Sequence, residues 1–202
     1  MQLTTSEAAA QLGVSARQVR RSAVSGQLTA GRHGRAFTLS ALEVRALGRT
    51  ETRGRPWSDT TRTAALDLLS VGATDALRGS QLSRLKRRIR ESEAKDLAGH
   101  LLRGHVTLRR APNAEVRSQY APKMAGELGL GAFGGLAVVV SDDSERLARS
   151  QRMVLDADGD VAFVDGFSRH AAVLEVLVLF TLGSAREHVA ARDWLQARAR
   201  RV

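Results

Sequence analysis

Two helix starts stand almost back to back near the beginning of the chain. In "TTSEAAAQLGVSARQVRR", Thr4 is followed three positions later by Glu7, and Ser15 by Gln18. Each pair fits a capping box, in which the two side chains satisfy each other's orphan backbone N–H groups. Only Gly13 and Val14 separate the first helix from the second cap. Glycine at such a place can adopt the left-handed conformation that ends a helix and turns the chain sharply. The spacing therefore predicts helix, tight turn, helix. A third pair, Ser40 with Glu43, opens the run "SALEVRALG". Three such pairs, each ahead of an apolar-periodic run, mark helix starts throughout residues 1–50.

On the second helix, Val19 and Ala23 are spaced to face inward, and Ala16 can join them. Arg17, Arg20 and Arg21 are then left on the outer side, with Gln18 beside them. Arginine can pair bidentately with guanine, and glutamine with adenine, in the DNA major groove. A solvated helix face is the other reading; the agreement of caps, turn and arginines favours a reading face. Downstream, Leu28, Ala30, Ala36 and Thr38 suit two short strands, and Gly34 permits the positive φ of a hairpin turn. The hairpin tip carries Arg32, His33 and Arg35, which can reach phosphates or an adjacent minor groove. His33 is read as a turn residue near DNA, since it has no partner at metal-ligand spacing.

Charge points the same way. The 202 residues carry 31 Lys+Arg against 21 Asp+Glu, a net charge of +10. The only lysines are Lys86, Lys95 and Lys123. Arginine's planar fork suits phosphate and guanine better than an ammonium does. A basic chain of this kind is expected to have an anionic partner, nucleic acid first; an arginine excess inherited from a GC-rich genome is the alternative. There is no cysteine, so neither disulfides nor thiolate metal sites are available. The N-terminus lacks a signal peptide's basic and apolar regions. The longest apolar stretch, "AAVLEVLVLFTLG", is too short to span a bilayer and contains Glu175. The expectation is a cytoplasmic protein with no membrane partner.

"TRGRPWSD" joins residues 1–50 to residues 58–202 as a linker over 51–57. Arg53-Gly54-Arg55-Pro56 has the core of an AT-hook, an extended peptide that lies in an A·T-rich minor groove. The same residues suit a linker whose arginines touch phosphates, or a plain joint. Trp57 is too large and apolar to stay loose and is expected to pack into the second domain. Pro56, Ser58 and Asp59 suit the start of a helix containing Ala64, Ala65, Leu68 and Leu69.

From Ser80, "SQLSRLKRRIRESEAKDLAGHLLRG" reads as one helix with Leu82, Leu85 and Ile89 on its inner face. Arg84, Lys86, Arg87 and Arg88 form a second basic face, either solvated, bonded to Glu91 and Glu93, or gripping an acidic partner or RNA. "HVTLRRA" and "LAVVV" read as strands, "NAEVRSQY" as a short helix, and "RMVLDADGDVAFV" as a hairpin turning at Asp158-Gly159. A buried helix and a terminal amphipathic one come after it. Strands and helices that do not alternate argue an α+β fold, here an N-terminal helix-turn-helix with a hairpin followed by a mixed α+β domain.

No motif supports catalysis. Gly129, Gly131 and Gly134 have the G-x-G-x-x-G spacing, but they precede a strand instead of following one. Asp156, Asp158 and Asp160 mimic a calcium loop, yet Val161 and Phe167 stand where glycine and glutamate belong. His100 and His105 lack a third zinc ligand. The reading is a non-enzyme without metal or cofactor.

The segment "LTTSEAAAQLGVSARQVRRSAVSGQLTAGRHGRAFTLSALE" resembles the excisionase-type and MerR-type winged helix-turn-helix. No sustained heptad comes after it, which counts against the ligand-sensing coiled coil of MerR-type regulators. Over the whole chain, "RGRPWSDTTRTAALDLLS", "SQLSRLKRRIRESEAKDL", the hairpin "RMVLDADGDVAFV" and the terminal helical pair resemble bacterial helix-turn-helix proteins similar to the AbiEi-type antitoxins of type IV toxin–antitoxin pairs. The resemblance implies a winged N-terminal domain that binds operator DNA and represses its operon. It also implies a C-terminal domain that counteracts a nucleotidyltransferase-type toxin. It assigns Arg17, Gln18, Arg20 and Arg21 to the recognition helix and Arg32 and Arg35 to the wing. Two other expectations stay open: an excisionase-like architectural factor that bends DNA, and a basic protein- or RNA-interaction module.

Overall fold

The computed structural model describes residues 2–24, 28, 30–33, 36–50, 55, 57–102, 104–131 and 135–202, with backbone alone at 32–33. The chain is α+β, with two small sheets. The local signals at the start of the chain act as their chemistry dictates. Thr4 accepts from the N–H of Glu7, and the Glu7 carboxylate accepts from Thr4, opening α1 (Thr5–Leu12). Those hydrogen bonds hold the Glu7 carboxyl below its ordinary range. Gly13 then turns the chain at φ 64°, and α2 (Ala16–Val24) begins shortly after.

Strands β2 (Ala30–His33) and β3 (Ala36–Ser40) pair antiparallel, His33 facing Ala36 across the turn. A strand not foreseen from sequence, β1 (Gln2–Thr4), pairs with the other edge of β3. Helix α3 (Ala41–Gly48) leaves β3 at Ser40. Ala8, Ala9, Val19, Leu28, Leu39 and Val44 form a small core between these elements.

The remainder is organised around α9 (Ala171–Leu182), in which every residue from Val173 to Leu182 is buried. A helix apolar all round must be covered all round. Here α4 (Asp59–Val71), α6 (Ala94–Leu101), α10 (Ala185–Arg201), α3 and a sheet supply the cover. Ser58 caps α4 by accepting from the N–H of Thr61, and Gly72 ends it at φ 79°. No helix among the described residues is long and apolar enough to cross a membrane.

The sheet has strand order β5-β7-β4-β6, from β4 (Val106–Arg110), β5 (Ala137–Ser141), β6 (Val154–Leu155) and β7 (Val161–Asp165). β5 and β7 are parallel; the other pairs are antiparallel. Alternation along the pleat sends Val138, Ala162 and Val164 into the main core and Ala137, Val139, Val161 and Phe163 into a second one. The second core is roofed by α8 (Ser144–Ser150), which Asp143 caps by accepting from the N–H of Arg146.

Two expectations are corrected. The helix from Ser80 is two helices, α5 (Gly79–Glu91) and α6, broken where Ser92 and Glu93 turn extended. The Ser92 hydroxyl donates to the carbonyl of Arg88, competing with the helix's own backbone ladder. The strands around Asp158-Gly159 are no hairpin: β6 and β7 flank β4 on opposite sides. The connection passes so close to β4 that a Cβ at Gly159 would collide with the backbone of Arg109. Only glycine fits there.

Buried polar groups tie the elements together. Glu175 of α9 accepts from the N–H of Met124, at the start of a 3-10 turn (Lys123–Ala125). Burial nonetheless pushes its carboxyl above the usual range. Arg62 of α4 donates through Nε to the carbonyl of Leu101 at 2.7 Å and lies 4.3 Å over the Phe167 ring. Arg109 of β4, on the α8 side of the sheet, pairs with Glu145. Asp67 lies 2.7 Å from His170 and accepts from Thr74 and Arg169.

Candidate nucleic-acid interface

The sequence of α2 divides it cleanly. Val19 is buried, and Ala16 and Ala23 pack beside it. Arg17, Arg20 and Arg21 are exposed and make no hydrogen bond or ion pair among the described residues. Three guanidiniums without a partner among the described residues leave a concentrated positive surface on one short helix.

Gln18 behaves differently from its arginine neighbours. Its Oε1 accepts from both the backbone N–H and the hydroxyl of Ser15, each at 2.9 Å, while its own backbone N–H donates to Ser15 Oγ at 3.3 Å. A bidentate contact to adenine needs Oε1 as acceptor and Nε2 as donor. The cap therefore occupies the acceptor that base reading requires, and Gln18 serves here as a helix-start residue.

Strands β2 and β3 join the same small core as α2 through Ala30 and Leu39. The backbone of Arg32 and His33 lies in β2; Arg35 and Gly34 fall outside the described residues. Strand pairing is close at Gly31, where a Cβ would stand 2.7 Å from Thr38 Oγ1.

In the joining segment, Arg55 is exposed, whereas Arg53, Gly54 and Pro56 lie outside the described residues. Trp57 packs against the main core, as its size demanded.

Each cation named on the second basic face of α5 makes a contact within the protein, and Arg84, Arg87 and Arg88 remain exposed. Arg88 approaches His100 Nε2 at 3.1 Å and sits 5.2 Å from the Trp57 ring. Arg87 pairs with Glu91, with both side chains exposed, and Lys86 donates to the carbonyl of Val202. Arg84 reaches Ser80 Oγ at 3.4 Å. Of this face, Arg88 also braces Trp57 and His100 while staying exposed.

The other tempting constellations are likewise occupied. Asp156 pairs with Arg110 and accepts from the N–H of Asp158; Asp160 accepts from the N–H of Ala111. Asp158 accepts from the hydroxyl of Ser40. His100 stacks on Trp57, and His105 is depressed by burial and by the charge of Arg62. Gly129 takes φ 64°, while Gly134 of the same motif lies outside the described residues.

Two features were not legible in the sequence. The first is the attachment of α3 to the rest of the chain. Leu42 and Ala46 pack on the main core, and Arg49 donates to the carbonyls of Thr181 and Gly183 at the end of α9. Burial depresses the Arg49 guanidinium, aided by Arg45. The second is Lys95 of α6, which lines a crevice together with Gln18, Arg21 and Ser22 of α2. Neither has a local signature, because each joins residues far apart in the chain. Comparison of the chain with protein-family models, curated proteins and solved structures gives no match, so its site stands on its own geometry.

Proposed function

We propose that the chain is a DNA-binding repressor of the antitoxin class. In this reading α1 and α2 form a helix-turn-helix, the β2–β3 hairpin is its wing, and α2 docks in the major groove. The observation that carries it is the exposed triad Arg17, Arg20 and Arg21, without a partner among the described residues, opposite a buried Val19. Arg17 and Arg21 read bases; Arg20, Arg32 and Arg35 hold phosphates, and Arg55 adds a nonspecific contact. The partner is double-stranded operator DNA in the cytoplasm. The helices and sheet from Trp57 onward then carry the activity against a nucleotidyltransferase-type toxin encoded beside it.

Arg17, Arg20 and Arg21 have no partner among the described residues, whereas Arg88, Arg87 and Lys86 each contact one, which favours DNA over an interaction module built on α5. The test is footprinting and titration on the duplex upstream of the chain's own gene. With about six phosphates neutralised, log K falls against log salt with a slope of roughly −5. Arg17→Ala or Arg21→Ala costs about 1–3 kcal/mol and relaxes sequence preference. Unchanged footprint and affinity in both variants would remove α2 from the interface. A bend in the duplex with little sequence preference would favour the excisionase-like reading instead.

A further inference from the structure

A crevice of about 460 Å³ runs along the flank of α2 that faces α6. Its volume falls in the range of about 300–1,000 Å³ typical of small-molecule sites. Leu12 of α1, Val19 of α2, Leu28, and Leu47 of α3 give it an apolar lining. Arg21 and Lys95 bring a cation from each side, one from the helix-turn-helix and one from the body. Lys95 is paired with Glu93 at 3.4 Å, while Arg21 has no partner among the described residues. Among the described residues, Arg21 is the cation of that edge left to meet a ligand.

Apolar lining with cations at the edge selects an amphipathic anion. The hydrocarbon part gains from leaving water, and the charged end is met by a guanidinium that can hold a carboxylate bidentately. We propose that this crevice binds a small amphipathic carboxylate, and that the bound ligand engages Arg21 and so weakens DNA binding. The binding stands on the crevice alone. The antagonism rests on the assignment of α2 to the DNA interface.

The ligand probe is octanoate, with octanol as its uncharged counterpart, titrated calorimetrically into the full chain. Octanoate is expected to saturate at one per chain. Arg21→Ala and Lys95→Gln weaken it about tenfold each, the size of one lost charge-assisted contact, while octanol binding stays level. Leu47→Trp, which fills the lining from a partly exposed position, abolishes both, with circular dichroism showing that the variant is folded. Absence of saturable heat, or equal octanoate affinity in all three variants, overturns the site. Saturating octanoate is also expected to weaken duplex binding by the wild type and not by Leu47→Trp. Octanoate binding without that effect overturns the antagonism. A chain that binds octanoate but no duplex at all fails the DNA reading and leaves the site standing.

Discussion

The indole of Trp57 lies parallel to the imidazole of His100, 4.7 Å between ring centroids and 3° between planes. The guanidinium of Arg88 covers the same indole at 5.2 Å and contacts His100 Nε2. This stack fixes the chain two positions after Arg55. Trp57→Ala should therefore destabilise the fold by about 2–4 kcal/mol, below or within the range for a large buried aromatic because Trp57 is only partly buried. Urea unfolding measures it. A loss under about 0.5 kcal/mol, the level of an ordinary surface change, would mean that the stack does not anchor the joint.

Ser40 links two parts of the molecule through one hydroxyl. Its oxygen accepts from the N–H groups of Leu42 and Glu43 and so caps α3; its proton is shared between Asp158 Oδ1 at 2.7 Å and the carbonyl of Ala157 at 2.9 Å. Ser40 is buried, so losing the hydroxyl removes the cap and the link to Asp158 together. Ser40→Ala should cost about 1–2 kcal/mol, the combined scale of a cap and a buried hydrogen bond. In a double-mutant cycle with Asp158→Ala the coupling should be about 0.5 kcal/mol or more. Additive losses would show that Ser40 acts as a local cap only.

How much of this was legible depends on the range of each interaction. Thr4 and Glu7, or Ser15 and Gln18, settle their geometry within one turn, so their residue types suffice. Val19 against Arg17 and Arg21 is a matter of helical period. Trp57 was legible from size alone. The order β5-β7-β4-β6 was not, because it depends on β4 meeting strands from far down the chain. Nor was the break at Ser92-Glu93, which carries neither glycine nor proline. The cap of α8 was present as Asp143 ahead of Glu145, but two neighbouring polar residues give the same local pattern. The contact of Arg88 with Trp57 was not legible either, because that aromatic stands outside its own helix.

Glu175 supplies a pH test. Burial raises its folded-state pKa above the ordinary value of 4.5, against the opposing hydrogen bond from Met124. A carboxyl raised on folding binds its proton more tightly in the folded chain. The contribution to stability is full below the unfolded pKa and is lost as pH rises through the folded one. Glu175→Gln keeps an acceptor for Met124 and cannot ionise. The variant should therefore gain on the wild type as pH rises from about 4 to 7. Denaturant midpoints across that interval measure the difference; parallel curves would show that Glu175 ionises in the folded chain as readily as in the unfolded one.

Gln18 separates capping from base reading. Its Oε1 is held by Ser15, so Gln18→Ala removes half of a capping box and should cost about 1 kcal/mol of thermal stability. If α2 enters the major groove with that cap intact, the variant weakens binding evenly over all single-base variants of the operator. Under the proposed docking Arg17→Ala and Arg21→Ala behave otherwise, relaxing preference at particular positions as the loss of a base-edge contact does. Competition binding against the full set of single-base variants distinguishes the two patterns. Selective loss of preference for adenine in Gln18→Ala would mean that Gln18 releases Ser15 on DNA, and that the cap is exchanged for a bidentate base contact.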